Sequence, residues 1–251
     1  MYRARVIPCL LLRGHGLVKT RKFKDATYVG DPVNAVRIFS EKEVDEIIVL
    51  DIDATREGRP PNYELIAEIA GECFMPMAYG GGISQLSQVR QLIRSGVEKV
   101  VINSAAAEST GVITESADTF GSQAVVAAVD VRRTLLGGYK VVTKSGTNET
   151  KLKLEEYLQR LQAAGAGEIF INSVDRDGTM TGYDLELLRI ASRTVKVPVV
   201  ACGGAGSVEH LQQAIKEGGA SAVAAGSMFV FHGRHRAVLI NYPDESIRKL
   251  I

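Results

Sequence analysis

The sequence lacks the excess of one charge that is typical of proteins that bind nucleic acids or anionic membranes. Its 251 residues contain 30 Lys and Arg against 29 Asp and Glu, so the formal net charge is +1. Binding to nucleic acids or to anionic lipid surfaces draws much of its free energy from bulk electrostatic attraction. We therefore expect neither nucleic acid nor a membrane as a partner, although a local basic site is compatible with this composition.

Long hydrophobic runs are also absent. No stretch approaches the ~20 apolar residues that a membrane-spanning helix needs. The first apolar run, residues 6–12, contains Pro8, precedes Arg13 and has no small-residue cleavage pattern behind it. This run predicts a buried strand rather than a signal peptide.

Cysteine is scarce, and Cys9, Cys73 and Cys202 form an odd set with no C-x-x-C spacing. This set argues against a disulfide framework and a structural zinc site, and it fits a reducing compartment. The four histidines complete no metal-ligand pattern with a carboxylate. We expect a cytoplasmic protein without a metal or a cofactor.

What the sequence does contain is a series of short, nearly continuous apolar runs, which are typical of parallel strands buried on both faces. The eight runs are residues 6–12, 47–52, 75–78, 99–102, 124–129, 169–171, 197–201 and 222–225. Segments with helical spacing lie between them, at residues 87–95, 154–164 and 208–217. Eight alternating units predict one domain over residues 1–251, a TIM (β/α)8 barrel. A doubly wound sheet is the competing layout, but it more often has five or six strands.

An internal repeat favours the barrel. The repeated segments lie 123 or 124 residues apart (201 minus 78, 175 minus 51): residues 78–84 with 201–207, 103–104 with 226–227, and 51–53 with 175–177. The strand that begins at Val6 matches the strand that begins at Val125, which sets Leu11 against Asp130. The pattern predicts two related half-barrels of four βα units each.

A glycine cluster ends one strand in each half, within residues 80–82 and 203–206, and a serine and a helical segment follow. Backbone N–H groups at the start of a helix attract anions. The next strand ends at residues 103–104 in one half and 226–227 in the other. One such cluster alone indicates a tight turn, whereas the duplicated pair predicts a ligand with a phosphate at each end.

Several carboxylates lie at or just beyond predicted strand ends: Asp51, Asp53, Asp130, Asp175 and Asp177. In a barrel these ends face the active site, where carboxylates suit proton transfer. Each aspartate taken singly can equally be a helix N-cap or a turn residue. Asp130 is the strongest candidate because Val129 and Val131 flank it within the strand.

Ten segments spread over nearly the whole chain carry a family resemblance. They are residues 5–10, 30–32, 45–46, 80–83, 99–103, 120–126, 165–169, 175–179, 182–184 and 203–206. In these segments the chain resembles HisF, the cyclase subunit of imidazole glycerol phosphate synthase. The resemblance implies a half-duplicated TIM barrel that forms a heterodimer with a HisH-like glutaminase. It also implies that ammonia crosses the barrel and reacts with a phosphorylated ribulosyl substrate, giving imidazole glycerol phosphate and an aminoimidazole ribonucleotide in histidine biosynthesis.

The resemblance also assigns residue roles. It implies phosphate binding by Gly81, Gly82, Asn103 and Ser104 on one side and by Gly178, Gly204 and Ser227 on the other. It implies an ammonia gate at the bottom of the barrel, formed by Arg5, Glu46, Lys99 and Glu168. Charges in a barrel mouth are costly unless paired, and two of each sign can cancel as a ring. Lys19 matches a mobile active-site lysine, and Asp130 matches one of two catalytic aspartates.

The other catalytic aspartate of the family is replaced by Leu11. A leucine neither gives nor takes a proton, and a general acid or base contributes ~10²–10⁴-fold to a rate. Asp53 stands where the family more usually has threonine, so it is the candidate for a displaced catalytic carboxylate. A competent cyclase that uses Asp130 with this substitute is one interpretation of the sequence.

Leu11, together with residues 62–68, 71–76 and 229–233, resembles a narrower HisF-like branch that accompanies surface-polysaccharide gene sets. The resemblance implies a specialised ammonia donor whose further partner is an amidotransferase that makes acetamidino sugars. A non-enzymatic alternative is a ligand-sensing scaffold that activates its glutaminase. The related isomerase HisA is disfavoured because it also needs an acid on strand one.

Overall fold

The computed structural model describes residues 3–135, 137–233 and 235–251. Its strands are β1 (Arg5–Arg13), β2 (Gly16–Arg21), β3 (Lys24–Gly30), β4 (Ile47–Asp51), β5 (Met77–Gly80), β6 (Lys99–Ile102), β7 (Val125–Arg133), β8 (Tyr139–Thr143), β9 (Asn148–Glu149), β10 (Glu168–Ser173), β11 (Val199–Cys202), β12 (Ala222–Ala225), β13 (Phe231–His232) and β14 (Ala237–Val238). Its helices are α1 (Pro32–Glu41), α2 (Tyr63–Gly71), α3 (Leu86–Arg94), α4 (Ser104–Glu108), α5 (Gly111–Phe120), α6 (Leu154–Ala163), α7 (Leu185–Thr194), α8 (Val208–Lys216), α9 (Ser227–Val230) and α10 (Glu245–Arg248).

Eight of these strands are parallel and close into a barrel. Their order is β10-β11-β12-β1-β4-β5-β6-β7, and pairing of β7 with β10 completes the circle. Each predicted apolar run overlaps one barrel strand, and helices alternate with the strands along the chain. The prediction of a TIM (β/α)8 barrel is confirmed.

Two predicted strands begin two residues too early, those at residues 75–78 and 197–201. In both, a proline precedes the strand that forms, β5 or β11. Proline has no N–H to donate to a sheet, but its carbonyl still accepts. The carbonyls of Pro76 and Pro198 accept 2.9 Å bonds from the N–H groups of Ile47 and Ile169.

The half-barrel duplication is visible in the first unit of each half. β1 and β7 both have nine residues, and each pairs antiparallel with the next strand, β2 or β8. The first registered pair is Leu11 with Val18 in one half and Asp130 with Val142 in the other. The structure therefore sets Leu11 in the position that corresponds to Asp130.

Short polar side chains start several helices of the outer layer. Asp31 accepts a 2.8 Å bond from the N–H of Asn34 at the start of α1, and Asp184 and Ser207 cap α7 and α8 in the same way. Such caps satisfy N–H groups that have no partner within the helix. Within the described ranges, no helix is long and apolar enough to cross a membrane.

Side chains alternate along each barrel strand between two apolar layers. In β1, Val6, Leu10 and Leu12 pack outward under the helices, whereas Ile7 and Cys9 belong to a cluster inside the barrel. The rest of the inner cluster consists of Ile48, Ala78, Val101, Val126, Ala128, Phe170, Val200, Ala222 and Ala224. Many of these residues are small, as the narrow interior requires.

Candidate functional site

A cavity opens at the carboxyl-terminal ends of the barrel strands. Its floor is mostly apolar, and its rim carries the glycine clusters and charged side chains. The floor residues are Cys9, Leu11, Leu50, Val101, Ala128, Phe170 and Cys202. The cavity also includes nine of the residues predicted to bind or transform a ligand: Lys19, Gly81, Gly82, Asn103, Ser104, Asp130, Gly178, Gly204 and Ser227.

Asp130 projects into this cavity from β7 and is held by two amides. The Nδ2 of Asn103 donates to Oδ2 at 2.8 Å, and the Nδ2 of Asn172 donates to Oδ1 at 3.4 Å. Burial raises the pKa of Asp130 to about 7, against the opposing effect of these two hydrogen bonds. A carboxyl group that titrates near neutral pH is suited to take up and release protons.

Leu11 lines the same cavity beside Leu50, its registered partner in β4. The inward position that holds a carboxylate on β7 therefore holds an aliphatic side chain on β1. Opposite faces of the site differ in kind: Asp130 is surrounded by amides, and Leu11 packs against the apolar inner cluster.

Lys19 extends from β2 into the cavity and is buried. Its Nζ donates to the carbonyl of Cys9. A Cβ added at Gly226 would lie 2.5 Å from this Nζ, so a side chain there would displace the ammonium group. Burial lowers the pKa of Lys19 from its ordinary value.

The glycine clusters require glycine for two reasons. Gly81 has φ +114° and Gly204 has φ +111°, a region that L side chains rarely adopt. A Cβ would also lie 2.3 Å from the Asp51 carbonyl oxygen at Gly81 and 2.2 Å from the Gly182 carbonyl oxygen at Gly204. The two clusters follow β5 and β11, which are four strands apart in a barrel of eight.

The serines next to these clusters begin short helices. Ser104 follows β6 and starts α4, and Ser227 follows β12 and starts α9. The Oγ of Ser104 accepts a 3.0 Å bond from the N–H of Lys144, in the turn after β8. Gly178 belongs with Gly204 and Ser227 to the second predicted phosphate-binding group. Its backbone packs closely on the carbonyl of Thr20. The structure thus brings both predicted phosphate-binding groups to opposite sides of one cavity.

The other strand-end aspartates serve the loops. Asp51 accepts bonds from the N–H groups of Asp53 and Ala54 at 3.0 and 2.9 Å. Asp175 accepts from the N–H of Arg133 at 2.7 Å. Asp177 accepts from the Thr20 hydroxyl at 2.7 Å and so holds the β2–β3 hairpin. All three carboxylates hold backbone or loop groups in place, and Asp51 and Asp177 also line the cavity.

Asp53 is not among the residues that line the cavity. Its Oδ2 accepts a 2.8 Å bond from the Nε of Arg13, and its Oδ1 lies 3.4 Å from Nη1 of Arg56. Both arginines line the cavity rim. The structure therefore does not bring Asp53 together with Asp130, and it engages this carboxylate in ion pairs.

Four charged side chains meet at the opposite, amino-terminal end of the barrel. We call them the charge ring: Arg5, Glu46, Lys99 and Glu168. Arg5 pairs with Glu46 and lies 2.8 Å from Glu168. Lys99 closes the ring at 2.9 Å from Glu46 and 3.2 Å from Glu168. Each cation contacts both anions, so the four charges are mutually compensated.

Comparison with known proteins agrees with this geometry. A sequence profile of the family described as "Histidine biosynthesis protein" matches residues 5–236. A Pseudomonas aeruginosa protein, provisionally named imidazole glycerol phosphate synthase subunit hisF2, is 57% identical over 244 residues, 97% of each chain. The chain belongs to the histidine biosynthesis protein family. Within it, the chain is a HisF-type imidazole glycerol phosphate synthase subunit.

Further relatives within the HisF type cover nearly the same length. A Vibrio vulnificus protein, provisionally named subunit hisF3, is 47% identical over 250 residues, 99% of this chain and 96% of its own. The imidazole glycerol phosphate synthase subunit HisF of Alkaliphilus metalliredigens is 43% identical over 232 residues, 92% of each chain.

Two features of this HisF-type site were missed from the sequence. Asn172 follows no recognisable motif, yet its amide contacts Asp130. Ser145 lines the cavity, and its hydroxyl donates to the Ile52 carbonyl at 2.6 Å. The Ser-Gly dipeptide at residues 145–146 signals a turn, but only the fold shows that this turn lies over the cavity.

Proposed function

We propose that this HisF-type chain receives ammonia from a HisH-like glutaminase at the charge ring and releases it into the cavity at the other end of the barrel. The observation that carries the proposal is the placement of a compensated charge ring and a ligand-sized cavity at opposite ends of one apolar interior. A HisF-type barrel with this arrangement serves as the acceptor subunit of a glutamine-dependent synthase.

The inner layers of the barrel support passage of a neutral molecule. Inward positions repeat every second residue, so Arg5 of the ring is followed along β1 by Ile7, Cys9 and Leu11. On β10, Glu168 is followed by Phe170 and Asn172 in the same way. Ammonia is small and uncharged, whereas an ammonium ion would lose its hydration in this apolar interior.

We further propose that the cavity binds a phosphorylated small molecule at both glycine clusters. Gly81, Gly82, Asn103 and Ser104 would hold one phosphate, and Gly178, Gly204 and Ser227 the other. Backbone that approaches without a Cβ and hydroxyls at helix starts suit phosphate oxygens. In this proposal Lys19 and Asp130 contact the ligand between the two phosphates.

Leu11 supports a specialised role over ordinary cyclase chemistry. The β1 position that corresponds to Asp130 offers no carboxylate for proton transfer, because Leu11 lies there. Asp53 is an unfavourable substitute since Arg13 and Arg56 hold its carboxylate outside the cavity lining. We propose that the chain supplies ammonia to a separate acceptor, a sugar amidotransferase that makes acetamidino sugars.

Two other functions compete with this one. A competent cyclase would use Asp130 alone or with a displaced acid, and the raised pKa of Asp130 favours it. A ligand-sensing scaffold would bind the phosphorylated molecule without consuming it and stimulate the glutaminase. Stimulation without ligand turnover would distinguish that scaffold from both enzymatic functions.

The deciding experiment is cyclase turnover of the phosphoribulosyl substrate with ammonium salt at high pH, which removes the need for the glutaminase. We compare the wild type with Leu11→Asp and, as the matched control without an acid, Leu11→Asn. The proposal expects no turnover in the wild type and Leu11→Asn, and turnover in Leu11→Asp. Robust wild-type turnover would contradict the specialised role and support the competent cyclase.

A further inference from the structure

Two arginines at the mouth of the cavity have no role in the functions described above. Arg13 ends β1, and Arg56 lies in the loop after β4. Both line the cavity, and both side chains are nearly half exposed. They face the same region of the rim because both contact one carboxylate, that of Asp53.

The hydrogen bonds of this trio leave most guanidinium donors available. Across the described part of the chain, Arg13 donates only through Nε and Arg56 only through Nη1, both to Asp53. A guanidinium group has five N–H donors in a planar fork. Four donors on each arginine therefore have no protein acceptor among these residues.

The charges of the trio do not cancel. One carboxylate neutralises one of the two guanidinium groups, so the trio as a whole carries a charge of +1. Asp53 is itself fixed, because its N–H donates to Asp51 at 3.0 Å and its side chain is largely buried. The protein thus holds two like charges close together beside a concave surface, an arrangement that an incoming anion stabilises.

The loop that carries Arg56 also packs on the first glycine cluster. The N–H of Gly82 donates to the Thr55 hydroxyl at 3.2 Å, and a Cβ at Gly82 would lie 2.5 Å from the Arg59 carbonyl oxygen. Arg56 follows Thr55 directly, and both residues line the cavity together with Gly81 and Gly82. The arginines and the first glycine cluster therefore belong to one cavity, linked by the loop after β4.

We propose that Arg13 and Arg56 together bind an anionic group of the ligand at the β1–β4 side of the cavity mouth. Planar guanidinium groups bind the oxygens of a carboxylate or a phosphate bidentately, so the group is an oxyanion of one of these two kinds. This inference rests on the proposed use of the cavity as a ligand site. In this inference Asp53 holds the two arginines in position and takes no part in catalysis.

The rate at which a reagent modifies each arginine of the intact protein tests the proposal. Phenylglyoxal modifies accessible arginines, and peptide mass mapping follows Arg13 and Arg56 separately from exposed Arg94 on α3. We expect inorganic phosphate to slow modification of Arg13 and Arg56 at least about fivefold at saturation, with no effect on Arg94. Acetate provides the second arm: protection by both anions indicates a site that takes carboxylates, and protection by phosphate alone indicates a phosphate site.

Single substitutions then test whether the two arginines act together. In Arg13→Gln, the phosphate concentration that half-protects Arg56 rises about tenfold, and Arg56→Gln has the same effect on Arg13, since one charge-assisted contact is lost. Arg94→Gln changes the same charge far from the site and leaves both values unchanged.

The three possible negative results have different meanings. Absence of protection at both arginines, in a protein that binds inorganic phosphate by calorimetry, overturns this inference alone. Unchanged half-protection in both single variants also overturns it. Absence of any phosphate binding by the wild type contradicts the proposed ligand site itself, and with it this inference.

Discussion

The amide of Asn103, the residue that follows β6, donates a 2.8 Å hydrogen bond to the carboxylate of Asp130 in β7. Asn103 also precedes the serine that begins α4 in the first phosphate-binding group. One side chain therefore links the proposed phosphate site to the proposed proton-transfer group. Ligand binding near Asn103 is expected to alter the protonation of Asp130.

The titration of Asp130 predicts a specific pH dependence of stability. Its folded pKa of about 7 exceeds the ~3.9 of an unfolded aspartate. Between these values the folded state keeps a proton that the unfolded chain has lost, so this group lowers the free energy of unfolding as pH rises. Asp130→Asn has no carboxyl group at this position to titrate. Its free energy of unfolding relative to that of the wild type should therefore increase by about 2 kcal/mol from pH 5 to pH 8.

Urea unfolding at pH 5 and pH 8 measures this difference. Asp118→Asn, at an exposed position on α5, is the matched control and should follow the wild type at both pH values. Parallel stability curves for Asp130→Asn and the wild type would show that burial does not shift this group.

Removing one cation from the charge ring is expected to destabilise the protein, because the carboxylates it pairs with are largely buried. Lys99→Met leaves Glu46 and Glu168 with Arg5 as their one remaining cation in the ring, and the Glu46 side chain is only 3% exposed. An uncompensated, largely buried charge is costly, so we expect the free energy of unfolding to fall by about 1–3 kcal/mol.

Lys153→Met is the matched control, because Lys153 pairs with Glu156 on the surface with side chains 76% and 70% exposed. Exposed pairs contribute about 0–1 kcal/mol. Equal destabilisation by the two substitutions in urea titrations would contradict the assignment of a buried, compensated ring.

Glycine at position 204 is expected to be irreplaceable for steric reasons. Gly204→Ala combines a φ of +111° with a Cβ 2.2 Å from the Gly182 carbonyl oxygen, so the loop after β11 must shift. We expect a loss of at least about 2 kcal/mol in stability. Gly71→Ala in α2 has open space around the new methyl and should stabilise by up to about 1 kcal/mol. Thermal unfolding of both variants makes the comparison, and similar shifts would refute the steric explanation.

Asp177 is predicted to control the mobility of the β2–β3 hairpin. Its carboxylate accepts bonds from the Thr20 hydroxyl at 2.7 Å and the Phe23 N–H at 3.1 Å. Asp177→Ala removes both, so trypsin should cleave at Arg21, Lys22 or Lys24 roughly 5–50-fold faster, which corresponds to about 1–2.3 kcal/mol of lost local stability.

Thr20→Val removes only one of these bonds and should cause a smaller increase. Cleavage in this hairpin is followed by mass spectrometry under native conditions. Identical rates in the wild type and Asp177→Ala would mean that other contacts hold the hairpin closed.

The sequence determined the barrel and its symmetry. Eight apolar runs gave the strands because residues buried on both faces need no polar alternation. The repeat of residues 78–84 at 201–207 located two glycine clusters that the structure places on opposite sides of one cavity. The strand starts at residues 75 and 197 were placed two residues early, because apolar residues precede Pro76 and Pro198, which have no N–H to donate to the sheet.

Tertiary structure alone decided which polar residues meet. Arg5, Glu46, Lys99 and Glu168 are far apart in the chain, and closure of the barrel brings them within hydrogen-bond distance. Asp51, Asp53 and Asp130 have similar strand-end positions in the sequence, but side-chain direction sends Asp130 into the cavity and Asp53 to two arginines. Periodicity along a strand fixes which face a residue occupies, whereas its partners depend on neighbouring strands and loops that are distant in sequence.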